Sequence, residues 1–256
     1  MGSNKEKVEM RERWTNAKKE PIDLFKLVRE NGSFKTELVG AFPRGNAELE
    51  MKSNGLYRQA FHTWLIAPWN NGSMVLQYRA PGDWRYPQTL DISASGIPSA
   101  GMNIVTGGLL EIRSETLVPA TKEMLIKSGI GVESGVFIEP ETGLNPGKVT
   151  NVNLNELVHI FFMKLDKAPK SDENPDIMKD EVKDLYSVSL EHGADLFRRA
   201  GGRIRGPVNR LEFDRNSGTW VPTDQKLEDV SLANFVPRNV LHYLRVFERA
   251  QEVYNA

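Results

Sequence analysis

Four glutamates, Glu111, Glu115, Glu123 and Glu181, and two cations, Arg79 and Lys127, could together do chemistry on a phosphorylated molecule. The stretch from about Leu117 to Ser128 has a helical pattern, with Pro119 tolerable in its first turn and Gly129 suited to the left-handed position beyond its end. On such a helix, positions i, i+3 and i+4 share a face, so Glu123, Ile126 and Lys127 would point together. A Mg²⁺ or Mn²⁺ ion on that face needs an oxygen shell, usually one or two carboxylates completed by water and substrate phosphates. Glu123 offers one carboxylate, Ile126 offers none, and Lys127 sets a cation where the metal would lie. Two positive centres ~4 Å apart repel by roughly 4 kcal/mol at an effective dielectric of 20. Three readings stay open. Glu111 or Glu115, with Glu181, rebuilds a displaced metal site around Glu123. Alternatively, Lys127 pairs with a phosphate and no metal takes part. In the third, Glu123 and Lys127 are a solvated pair worth ~0.3 kcal/mol.

Arg79, at the end of a strand-like run, could meet a phosphate, while Trp84 and Tyr86 in the following loop could stack on a base at ~1–3 kcal/mol per contact. A surface ion pair is the plainer reading for Arg79. His62, His159, His192 and His242 show no metal-ligand spacing, and His62 and His159 sit in apolar strand patterns that suit hydrogen-bonded core residues. There is no cysteine, which excludes disulfides and thiol nucleophiles and fits a cytoplasmic location. Thirty-three basic and 34 acidic residues nearly cancel, so no global field recruits nucleic acid, and the arginines between Arg198 and Arg205 read as a solvated turn. No apolar run approaches the ~20 residues needed to cross a bilayer.

The elements that must position these residues follow from periodicity. The first 20 residues predict a charged helical extension ended by Pro21. Ile22 to Leu27 and Phe34 to Val39 flank an Asn-Gly hairpin signal, and a polar link follows. Ala60 to Ala67 and Met74 to Arg79 predict strands joined through Asn70-Asn71-Gly72, and 80–114 reads as loop. Further strands are expected around Gly135 to Glu139, Leu157 to Lys164 and Val182 to Leu190. Helices are expected over Glu191 to Ala200 and about Arg238 to Tyr254. Residues 167–180 read as a charged loop, and 201–230 as an inserted hairpin. The expected class is α/β (α+β), a single domain over 21–256.

Several segments resemble the Nudix hydrolase superfamily, in its isopentenyl-diphosphate-isomerase-like branch. The Nudix box is written G-x5-E-x7-R-E-u-x-E-E-x-G-u, with u aliphatic. Its Arg-Glu start is matched by Lys122-Glu123 and its Gly-u exit by Gly129-Ile130, whereas the Glu-Glu pair reads Ile126-Lys127. Gly55 to Ile66 resembles the opening strand, Val75 to Arg79 the next, Asp91 to Gly101 the lead-in to the box, and Asp180 to Val188 the segment after it. If Gly96 opens the box, Met102 takes the first glutamate's place and about 12 extra residues precede Lys122; if Gly108 opens it, Ser114 takes that place.

The resemblance implies an α/β/α sandwich around a mixed sheet. It implies a hydrolase of nucleoside diphosphate-type substrates, weak or inactive because box glutamates are replaced. Glu123 and Glu181 would be catalytic, Glu123 and Glu115 would hold Mg²⁺ or Mn²⁺, and Arg79, Trp84, Tyr86 and Lys127 would contact the ligand. The alternative is a metal-free module that binds a nucleotide or diphosphate, or another protein. The partner would be a small molecule, with no membrane, nucleic acid disfavoured and a homodimer left open. Isomerase activity by the family's cysteine mechanism is excluded, because the chain has no cysteine.

Overall fold

The computed structural model describes residues 16, 18–30, 33–81, 86–135, 154–165, 182–199, 203–204, 206–214, 216, 219–236, 238 and 240–256. The strands are β1 (Pro21–Glu30), β2 (Ser33–Pro43), β3 (Tyr57–Ala67), β4 (Ser73–Arg79), β5 (Leu90–Asp91), β6 (Ala94–Gly96), β7 (Ile126–Gly135), β8 (Leu154–Lys164), β9 (Val182–Ser189), β10 (Val208–Asp214) and β11 (Thr219–Leu227). The helices are α1 (Arg44–Asn54), α2 (Ile104–Thr116), α3 (Leu190–Arg198) and α4 (Val240–Asn255). One mixed sheet runs β11-β10-β9-β4-β3-β1-β2, with β8 parallel to β3 and β7 antiparallel to β8. This is the expected α+β sandwich.

Strand β3 is the axis. Its residues alternate between two cores, as a period of two requires. Trp64 and Ile66 join Phe162 of β8 and Met74 and Leu76 of β4 beneath α3 and α4. Leu65 and Ala67 face the other way, with Ile112 of α2, Val118 and Trp220. On the first side Phe197 stacks on Tyr243 with ring centroids 4.7 Å apart, and the Tyr243 hydroxyl donates to the Val236 carbonyl at 3.0 Å. Gly193 leaves α3 without a side chain where the Phe247 ring of α4 crosses it.

Three expectations need correction. The polar link is helix α1, whose Ala47 and Met51, one turn apart, bury with Ile22 and Leu24. The supposed loop 80–114 contains β5, β6 and most of α2. The helix expected from Leu117 to Ser128 is not formed: Lys122–Met124 is a single 3-10 turn, and Ile126 begins β7, paired with Phe162. From Ile126 onward the backbone pairs with β8 instead of closing helical turns, and Lys122–Met124 is left as one short turn. Of the strand expected around Gly135 to Glu139, Gly135 is the last residue of β7 and 136–139 lie outside the described residues. So do the first 15 residues and the expected loop 167–180.

Candidate functional site

The lead-in Asp91-Ile92-Ser93-Ala94-Ser95-Gly96 is built on alternate positions. Asp91, 1% exposed, accepts from Arg79 Nη1 at 2.9 Å, from Arg238 Nη2 at 3.2 Å and from the Ile92 N–H at 2.9 Å. Burial alone would raise its pKa, but Arg238, Arg79 and the Ile92 N–H overturn that and hold the carboxyl below its ordinary value. Ser93 accepts from the Leu65 N–H at 2.9 Å and donates to the Val75 carbonyl, stitching β3 to β4. Ser95 donates its N–H to Glu115 Oε2 at 3.1 Å. At Gly96 a Cβ would lie 2.8 Å from Phe61 Cζ and 3.0 Å from Glu111 Cγ, so a side chain there would displace the Phe61 ring and the Glu111 side chain.

Helix α2 starts where the Asn103 side chain accepts from the Val105 N–H at 2.9 Å. Gly107 and Gly108 let it pass close to the Phe61 ring. Glu111, Ser114 and Glu115, at i, i+3 and i+4, share one face. Glu111 is half-buried, and the Ser114 hydroxyl lies 3.2 Å from its Oε2. Glu115 is 4% exposed. The helix ends at Leu117, a leucine in the left-handed region at φ 57°, whose N–H donates to the Arg113 carbonyl at 3.0 Å. The indole Nε1 of Trp220 on β11 donates to the Thr116 carbonyl at 2.9 Å, so the C-terminal hairpin closes the helix.

These positions give the box a register with no insertion. From Gly96, the pattern places Met102 at the first glutamate and Leu110-Glu111-Ile112 at R-E-u. Ser114-Glu115 then falls at E-E, and Leu117-Val118 at G-u. Two carboxylates remain where Lys122–Ile130 offered one. The left-handed backbone at Leu117 is the conformation that the pattern's closing glycine favours. In sequence the signal was the count of fourteen residues from Gly96 to Leu110, hidden by the losses at Leu110, Ser114 and Leu117.

Leu117→Gly tests that end. The left-handed backbone costs leucine ~1–2 kcal/mol, whereas losing a buried leucine costs ~2–5 kcal/mol. Net destabilisation of about 1–3 kcal/mol is expected in urea titration, and a stabilised variant would refute the packing role.

The remaining candidates scatter. Glu123 is exposed in the 3-10 turn, its carboxyl pKa lowered by its own backbone N–H and the Thr121 hydroxyl. Ile126 and Lys127 are adjacent on a strand and so point to opposite faces, which removes the shared face expected with Glu123. Lys127 is exposed; burial, and then this lysine's charge, lower the His159 pKa. Arg79 is a buried-pair partner of Asp91 and exchanges backbone bonds with the Gln88 and Thr89 turn, which carries Tyr86. Tyr86 is 6% exposed with φ 52°. Trp84 and Glu181 lie outside the described residues. His62 and His159 are buried as expected, but the Nδ1 of each has no hydrogen-bond partner among the described residues. Arg198 and Arg203 pair with Glu248 and Asp229 on the surface. Among the described residues no group of three or more His, Cys, Asp or Glu converges on a metal position, and no helix is long and apolar enough to cross a membrane.

No family model and no curated protein matches the chain. Solved structures do. The DR0079 protein of Deinococcus radiodurans is similar over 89% of this chain and 98% of its own, at 16% identity and a TM-score of 0.41. A MutT/nudix family protein of Enterococcus faecalis is similar over 98% of this chain and 76% of its own, at 8% identity and a TM-score of 0.41. The NUDIX domain of Shewanella oneidensis NrtR, solved with ADP ribose, covers 56% of this chain and 77% of its own, at 10% identity and a TM-score of 0.37.

Proposed function

We propose that this chain is a Nudix-type hydrolase of small nucleoside diphosphate-linked molecules, slow and dependent on Mg²⁺ or Mn²⁺. The observation that carries the reading is the uninterrupted register from Gly96 to Val118, which sets Glu111, Ser114 and Glu115 on one helical face. The donor set fits a hard cation: two carboxylates are enough when water and substrate phosphates complete the shell. Such a cation supplies charge neutralisation for the diphosphate and activation of water.

The chain's own residues do the rest. The Ser95 N–H fixes the Glu115 carboxylate through one oxygen. Glu111, held against Gly96 and more exposed, is the residue able to take a proton from attacking water. Ser114 contributes a hydroxyl where the pattern has a third carboxylate, which weakens the hold on the cation and slows turnover.

Turnover of a panel of nucleoside diphosphate derivatives with millimolar Mg²⁺ or Mn²⁺ tests this. Glu111→Gln and Glu115→Gln are each expected to lower the rate on the order of 10²-fold or more. Glu123→Gln is expected to retain it. Loss in Glu123→Gln alone would return the ligand to the 3-10 turn and sink the Gly96 register. Metal-independent thermal stabilisation by the same compounds without turnover would establish the binding-module reading instead.

A further inference from the structure

We propose that β2 pairs antiparallel with β2 of a second copy, about a two-fold axis at Thr36, joining two chains through one continuous sheet. Among the described residues β2 has β1 as its one partner, and its outer backbone edge pairs with no other described strand. An edge of this kind is a template for another strand unless something blunts it. Strand β11, at the other end of the path, is blunted by Pro222, which has no N–H to donate. In β2 the register shifts between Leu24 and Phe25, so that Leu24 pairs with Gly40, Phe25 with Leu38, and Val39 bulges out. The outer half, Ser33 to Leu38, keeps regular pairing.

The sequence of that half is self-complementary. A two-fold axis at Thr36 sets Lys35 opposite Glu37 of the copy, and Glu37 opposite its Lys35. Within the chain Glu37 already lies opposite Lys26 on β1, so each glutamate would sit between two lysines across the joined sheet. Lys35 also pairs with Glu30 of its own chain. Opposite charges directly across an antiparallel pair stabilise it, and like charges destabilise it. The other face of the hairpin carries Thr36 and Arg29 beside an apolar cluster. Leu38 is 62% exposed beside half-buried Phe25 and Leu27, and the joined edge would flank it with a second strand.

Sedimentation velocity on the full chain, from low to high micromolar, tests the proposal. The wild type is expected to dimerise with concentration. Lys35→Glu and Glu37→Lys each turn both cross-axis pairs repulsive, so each should associate at least ~10-fold more weakly. Mixed together, the two variants make every cross-axis pair attractive again and should form a heterodimer, with circular dichroism confirming that each is folded. A wild type monomeric throughout, as when the chain's own N-terminal residues cover β2, would overturn the proposal. So would variants that dimerise like the wild type, or a mixture that stays monomeric.

Discussion

Asp91→Ala should lower the free energy of unfolding by about 3–5 kcal/mol, read as a fall in the urea midpoint at an unchanged slope. The carboxylate side chain is 2% exposed and pairs with two guanidiniums, Arg79 at 20% exposure and Arg238 at 11%. Removing it leaves two cations without their shared anion in a place water barely reaches. That loss exceeds anything a surface pair contributes. Asp229, 77% exposed opposite Arg203, is the control, and its removal should change stability by no more than about 0.5 kcal/mol. Asp91→Asn keeps an acceptor for the Ile92 N–H and should lie between the two. An Asp91→Ala loss within 1 kcal/mol of the Asp229 variant would show that the triad is relaxed or hydrated. The effect extends to the candidate site, because Asp91 anchors the strand that delivers Ser95 to Glu115 and Gly96 to Glu111.

Acid should destabilise the protein steeply before its carboxylates are protonated. His62 on β3 and His242 on α4 face each other with ring centroids 5.9 Å apart, edge to face, beside Trp64 and Tyr243. Burial, then the Arg238 charge, lower both pKa values: His62 well below 6.5, His242 to about 4. The sign follows. The unfolded chain protonates these rings near pH 6.5, while the folded chain resists until much lower pH. Between those values the unfolded state binds more protons, so stability is full above about 6.5 and falls as pH drops towards 4. A shift from 6.5 to about 4 corresponds to roughly 3 kcal/mol for His242 alone, and His62 acts in the same direction. Asp91, whose pKa is lowered, loses its contribution only at more acid pH, as it protonates. Urea midpoints across this range should therefore slope, and His242→Gln should flatten the slope whatever it does to stability at neutral pH. A flat profile from neutral pH to about 5 would refute buried, neutral histidines.

Much of this fold was legible because its signals are local. Strands β3, β4, β8 and β9 carry apolar runs that suit nothing else, and α3 and α4 carry an apolar stripe at helical period. The lead-in from Asp91 to Gly101 was legible only as a resemblance, since 80–114 reads as loop where the structure forms β5 and β6. Helix α2 was not legible. Its Gly107 and Gly108 disfavour a helix by about 1 kcal/mol each. The tertiary fold sets them close to β3 and the lead-in: a Cβ would lie 3.3 Å from Pro98 Cβ at Gly107 and 3.4 Å from the Phe61 ring at Gly108. Leu117 hid the helix end in the same way: its left-handed backbone is held by burial against Leu65, Val75 and Trp220, a packing reason invisible in a local window.

The segment Lys122 to Ile130 shows the converse. Its residues fit a helical motif, and in isolation nothing contradicts that fit. Pairing with β8 decides otherwise: Ile126, Lys127, Gly129 and Ile130 lie opposite β8 residues, and only Lys122–Met124 is left to coil, as a single 3-10 turn. The sequence alone determined strands alternating with a few helices, and a lead-in and box pattern resembling one family. Tertiary structure decided that Ile104–Thr116, and not Leu117 to Ser128, forms the helix. A helix face is a product of packing as much as of spacing, and here packing aligns Glu111 with Glu115 and leaves Glu123 in solvent.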